Sequence, residues 1–95
     1  MEVEINLKGE TKKIQVKDIL GRHQTEYVKA VAAMQKGTEE GMLGFINYRD
    51  TMVRELTGFS QEDLEAMPLV EKNKIIDAIE GQLALFKGDR NFLMR

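Results

Sequence analysis

The side chains that could perform chemistry in this chain are few and poorly spaced for it. The single histidine, His23, has Glu26 three residues later, a separation that places both on one face of a helix. A metal centre needs three or four ligands, and the chain has no second histidine and no cysteine, so the two read as a surface polar pair. Glu39 with Glu40, and Glu62 with Asp63 and Glu65, could be paired carboxylates for acid/base work. Each group, however, opens an expected helix, where the positive end of the helix dipole accounts for it. Ser60 stands where a helix cap is needed and not in a nucleophile elbow. Gly37, Gly41 and Gly44 lack both the strand-then-helix setting and the lysine of a phosphate loop. No catalytic, cofactor-binding or metal-ligating residue is assigned, and the chain is expected not to be an enzyme.

A chain of 95 residues can build one core, burying roughly 60 to 65% of its unfolded surface, so residues 1–95 are read as a single domain. The opening MEVEINLKGE alternates acidic and apolar residues where a secretory leader would be basic and then continuously apolar. With no cysteine and no apolar run near the roughly 20 residues that cross a bilayer, a cytoplasmic protein without a membrane segment is expected. The net charge of −2 divides unevenly: residues 1–36 carry seven Lys or Arg against five acids (+2), and residues 37–95 carry seven against eleven (−4). Nucleic acid is a disfavoured partner for such a balance, because phosphate binding rests on a cationic excess. Six methionines and no tryptophan suit adaptable surfaces as well as cores.

The fold class expected is α+β, an N-terminal β-hairpin followed by a small bundle of about four helices. Residues 1–17 form the hairpin, 18–88 the helical part and 89–95 a tail. Val3, Ile5 and Leu7 alternate with polar residues, and Ile14 and Val16 do so after Gly9. A turn centred on Gly9 and Glu10 sets Ile5 opposite Ile14 and Val3 opposite Val16, which favours it over a turn on Lys8 and Gly9 that sets Ile5 against Lys12. The first helix starts at Asp18 or just after Gly21 and stops at Gly37, with Leu20, Tyr27, Val31 and Met34 on its apolar face. The second, capped by Thr38 and closed by Gly58, has the stripe Met42, Phe45, Ile46, Met52, Val53 and Leu56, interrupted by Arg49. That arginine must snorkel or find a carboxylate. Ser60 and Asp63 form a capping box for a short third helix, with Phe59 stapled to Leu64. After Pro68, the fourth helix carries Leu69, Ile76, Ile79, Leu83 and Phe86 to Gly88, with Lys72 in its stripe and Gly81 hinting at a bend or close contact.

The segment from Arg54 to Gly81 is similar to the helix-turn-helix of repressor-type regulators through Ser60, Gln61, Glu62, Leu64 and Ile79-Glu80-Gly81. It departs from that pattern where the helices must cross. Glu65 occupies the position that must be small, Leu69 the usual turn glycine, and Pro68 an apolar core position. The helix that would read bases opens Glu71-Lys72-Asn73-Lys74, in the acidic half of the chain.

Taken whole, the layout resembles the small tail assembly chaperones of tailed bacteriophages. The likeness is carried by a hairpin ending Lys17-Asp18-Ile19 with Arg22 behind it, and by Phe45-Ile46 with Asp50 and Val53. It continues through Leu56-Thr57-Gly58-Phe59-Ser60 with Glu62, Asp63 and Leu64, and through Met67-Pro68-Leu69 before Glu71-Lys72-Asn73-Lys74-Ile75-Ile76. The resemblance implies a non-enzymatic oligomer of the host cytoplasm that keeps the tape-measure protein soluble and recruits tail-tube subunits. It also implies a longer frameshifted form, of which this chain would be the short one. A structural virion component, in the tail or head–tail connector, is the alternative, and a helix-turn-helix regulator a further one. Binding protein requires apolar surface left over after folding, and the residues off the main stripes are Leu43, Tyr48, Val70, Leu85, Phe92, Leu93 and Met94.

Overall fold

The structure, a computed structural model, describes residues 1–83. Two antiparallel strands, β1 (Glu2–Leu7) and β2 (Glu10–Gln15), precede the helices α1 (Gly21–Met34), α2 (Glu39–Thr57), α3 (Gln61–Ala66) and α4 (Leu69–Leu83). This is the α+β order that the periodicities predict.

The hairpin register differs from the expected one. Its turn lies on Lys8 and Gly9, both with positive φ (53° and 81°), so Ile5 faces Lys12 and Val3 faces Ile14. A two-residue turn with left-handed backbone at both central positions matches the twist of the strands, and glycine at the second is its usual chemistry. The displacement is two residues, so every side chain keeps its face and the apolar alternation cannot separate the two registers. Ile5 is buried by α4, which packs on β1, and not by a cross-strand aliphatic, while Lys12 stays exposed opposite it.

α1 and α2 form an antiparallel-type helical hairpin whose connection ends at Thr38, and the Thr38 hydroxyl accepts from the Gly41 N–H. Gly58, at φ 84°, closes α2 in the left-handed conformation that glycine adopts without strain. The Ser60 and Asp63 capping box is present, with Asp63 N–H donating to Ser60 Oγ and Ser60 N–H to Asp63 Oδ2. Asp18 does not cap α1. The helix begins at Gly21, and Leu20, half exposed, is its cap residue. Pro68 supplies the carbonyl that accepts the N–H groups of Glu71 and Lys72.

The core gathers Val3, Ile5 and Val16 from the hairpin, Met52, Val53 and Leu56 from α2, Leu64 and Met67 from α3 and its end, and Ile75, Ile76, Ile79 and Leu83 from α4. Several stripe positions fall outside it. Met42, Ile46 and Leu69 are exposed, whereas Ile75, absent from the expected stripe, is completely buried. Gly81 makes no close contact, since a Cβ there would touch nothing within 4 Å, and α4 continues through it to Leu83. Phe86 and Gly88 lie outside the described residues.

Candidate protein-binding surface

What α2 and α4 leave on the outside follows from the charges they carry inward. Asp50, on α2, is only 6% exposed. Its Oδ1 lies 2.5 Å from Lys72 Nζ of α4, and its Oδ2 accepts from Gln61 Nε2 of α3 at 3.1 Å. The approach to Lys72 is a contact of charges in which Oδ1 has no well-aligned hydrogen bond, and through it and the Gln61 amide Asp50 joins α2 to α4 and α3. One residue earlier, Arg49 forms a two-point fork on Glu80, with Nε to Oε2 at 2.9 Å and Nη2 to Oε1 at 2.7 Å. Its guanidinium carbon also stands 4.3 Å over the Phe45 ring. Arg49 thus finds the carboxylate that its place in the stripe demanded.

With these groups inside, large aliphatic side chains turn outward. Met42, Leu43 and Ile46 on α2, with Leu69 and Val70 in the first turn of α4, are between 49% and 68% exposed. Ile46 and Leu69 flank one depression of about 150 Å³ whose floor is Ile76 and the Asp50–Lys72 pair. Met42 and Leu43 lie one helical turn before Ile46 on the same helix. The cations beneath the depression are already matched by carboxylates, so its chemistry is apolar with a neutralised base. It is a shallow furrow between two helices, suited to a side-chain stripe of a partner and smaller than the pockets that enclose small molecules.

The sequence-derived candidates distribute unevenly over this surface. Leu43 and Val70 are exposed as required. Tyr48 points inward: its ring lies near Tyr27 and Phe45, its hydroxyl donates to the His23 carbonyl at 3.3 Å, and burial pushes its phenol pKa up. Leu85, Phe92, Leu93 and Met94 lie outside the described residues. Met42, Ile46 and Leu69 are the members that periodicity assigns to the core, and only the paired charges at Asp50 and Lys72 could have signalled otherwise.

His23 is not a surface polar pair with Glu26. It is 1% exposed, with Nδ1 accepting the Leu20 N–H at 2.8 Å and Nε2 3.2 Å from Glu55 Oε1. Leucine has no side-chain acceptor, so this is one half of a capping box, built by the histidine reaching back from the third helical position. Arg22 bridges to Glu55 beside it, and burial, then Arg22, hold the imidazole pKa below 6.5. Glu71 is similarly structural: it accepts the Asn6 N–H at 2.5 Å and Lys74 Nζ at 2.9 Å, and these bonds keep its carboxyl pKa low.

Among the described residues, no three His, Cys, Asp or Glu side chains could together hold a metal ion, and no helix is long and apolar enough to cross a membrane. The small cavity between Tyr48, Met52 and Ile79 measures about 10 Å³, the space of a single water. No family model, curated protein or solved structure matches this chain significantly.

Proposed function

We propose that this chain is a non-enzymatic chaperone that holds helical polypeptide against the α2–α4 surface. Following the sequence resemblance, its clients are the tape-measure protein and tail-tube subunits of a tailed phage, and it works as an oligomer in the host cytoplasm. The observation that carries the reading is the pair of exposed aliphatic side chains, Ile46 of α2 and Leu69 of α4, that flank one furrow above charges that are already paired. A folded domain does not retain such a patch for stability, since covering it would be worth about 25 cal/mol per Å². The regulator alternative finds less support, because Lys72 and Lys74, the cations of its reading helix, are held by Asp50 and Glu71.

The test is co-expression with the tape-measure protein of the same genome, scoring the soluble fraction of the client. Ile46→Asp combined with Leu69→Asp should leave the domain folded, since both side chains are exposed, and should return the client to the insoluble fraction. Undiminished client solubility with the double variant would refute the reading. The chain appearing in purified particles would make it a permanent tail or connector component instead, and a specific shift of duplex DNA at low salt would make it a regulator.

A further inference from the structure

Among the described residues, nothing pairs with the outer edge of β2. Met1 and Val16 exchange both backbone hydrogen bonds, Val16 N–H to the Met1 carbonyl at 2.7 Å and the Met1 amino group to the Val16 carbonyl at 3.2 Å. In an antiparallel pair such residues alternate with non-bonded ones, so Val3 with Ile14, Ile5 with Lys12 and Leu7 with Glu10 are the bonded pairs. The N–H and C=O groups of Thr11, Lys13 and Gln15 therefore point away from β1. The sheet has two strands only, and no hydrogen bond among the described residues uses these groups. The open stretch is roughly 14 Å long. It ends at Lys17, whose N–H is taken by the Leu56 carbonyl at the end of α2. On the other side of the hairpin, α4 packs on β1 and Glu71 takes the outward Asn6 N–H, so the β1 edge is capped at that point.

Two further features specify what the open edge would accept. The first is charge. Lys8, Lys12, Lys13 and Lys17 run along the turn, the strand and its end, and none of them is in an ion pair among the described residues. The second is a groove of about 670 Å³ beneath the tip of the hairpin, with Leu7, Phe59, Met67 and Pro68 as its apolar lining and Lys8, Glu10, Lys12 and Asp63 as its charged lining. Lys12 lies on the same sheet face as Ile5 and Lys13 on the opposite, solvent face. A third strand beside β2 would thus send alternate side chains over the apolar groove and the others level with Lys13.

We propose that the outer edge of β2 captures an extended, alternating acidic and aliphatic segment of a partner protein as a third strand. Backbone hydrogen bonds to Thr11, Lys13 and Gln15 supply the attachment, the groove takes the aliphatic side chains, and the lysines select acids. β2 already pairs on its inner edge with a strand of that composition, Glu2-Val3-Glu4-Ile5. This site is separate from the α2–α4 surface and does not depend on the chaperone reading.

The test uses the full chain labelled with ¹⁵N and ¹³C and two blocked peptides, EVEINL and KVKINL. EVEINL should slow hydrogen exchange at the Thr11, Lys13 and Gln15 amides, shift the Leu7 and Met67 methyl signals, and bind less tightly as salt rises. Lys13→Pro removes an outward N–H that the hairpin does not use, so it should abolish binding and keep the fold. Should proline unfold the hairpin, Lys12→Glu with Lys13→Glu serves instead. Reversing two cross-strand charges should weaken EVEINL by about tenfold and make KVKINL the preferred peptide. Equal binding of the two peptides by the native chain, or no added protection at saturating EVEINL, would overturn the proposal. So would protection of these amides in the free protein that rises with its own concentration, which would make the occupant a second copy of the chain.

Discussion

Replacing His23 tests whether a buried imidazole serves as the cap of α1. In its neutral form, with the proton on Nε2, the ring satisfies the Leu20 N–H through Nδ1 and can donate to Glu55. His23→Ala removes the acceptor from a helix start, worth about 1 kcal/mol. It also empties a fully buried site, worth a further 1 to 2 kcal/mol or so when part of the space collapses. The bond to Glu55 adds little, because that carboxylate is more than a third exposed and can turn to water. The sum, about 2 to 3 kcal/mol, corresponds to a fall in Tm of roughly 10 to 20 °C for a domain of this size. A second, independent signature lies in pH. Protonating Nδ1 would set two donors against each other, and burial with Arg22 already places the folded pKa below 6.5, against the opposing pull of Glu26. Above pH 6.5 both states are neutral and the stability is fully present. Below it the unfolded chain takes up the proton first, so stability declines until the pH has passed the folded pKa. Because His23 is the only histidine, the slope between about pH 7 and 5.5 belongs to it, and His23→Ala should flatten that slope. Thermal melts of both proteins across this range, with the imidazole titrated by NMR, provide the assay. A native His23 pKa at or above 6.5, or equal slopes in the two proteins, would refute the assignment.

Two further outcomes follow from close packing and from charge. Gly41→Ala should destabilise by about 2 to 4 kcal/mol in urea unfolding, since a Cβ there runs into the Ala33 carbonyl, whereas Gly44→Ala, which meets nothing within 4 Å, should stabilise by up to about 1 kcal/mol. Lys72→Met should cost about 3 kcal/mol by leaving Asp50 buried without its cation, and adding Asp50→Leu should restore most of that loss, as read from denaturation midpoints.

The parts of this fold that are legible in sequence are those governed by local chemistry. Thr38, Gly58 and the Ser60–Asp63 box set helix limits through atoms three or four residues apart, and each performs the expected role. The hairpin is legible as an element but not in register, because a two-residue slip preserves every face and the deciding quantity is the backbone twist at Lys8 and Gly9. His23 defeats the reading for a different reason. A histidine three residues into a helix looks like a solvated polar group, and its burial depends on α2, on Tyr48 and Glu55, 25 and 32 residues away. Of the exposed aliphatic side chains, Leu43 and Val70 are recoverable as residues off the stripes. Met42, Ile46 and Leu69 are not, since spacing alone places them with the core.

The phase of α4 ties these points together. A helix centred on Leu69, Lys72, Ile76 and Leu83 satisfies the apolar repeat equally well, and would turn Leu69 toward the core. The helix instead centres its buried face on Glu71, Ile75 and Ile79, with Ile76 and Leu83 beside them. Two polar contacts anchor α4: Glu71 reaches the outward N–H of Asn6 on β1, and Lys72 reaches Asp50 on α2. Of these Glu71 distinguishes the phases, since a rotation that buried Leu69 would carry its carboxylate away from Asn6, whereas Lys72 lies within both faces. The exposure of Leu69 therefore goes with the contact that sets the phase of α4, while Val70, about 100° further round the helix, faces away from the core in either phase. A partner covering the first turn of α4 would recover the forfeited apolar burial without disturbing either anchor, so docking there should strengthen α4 and not reorganise it.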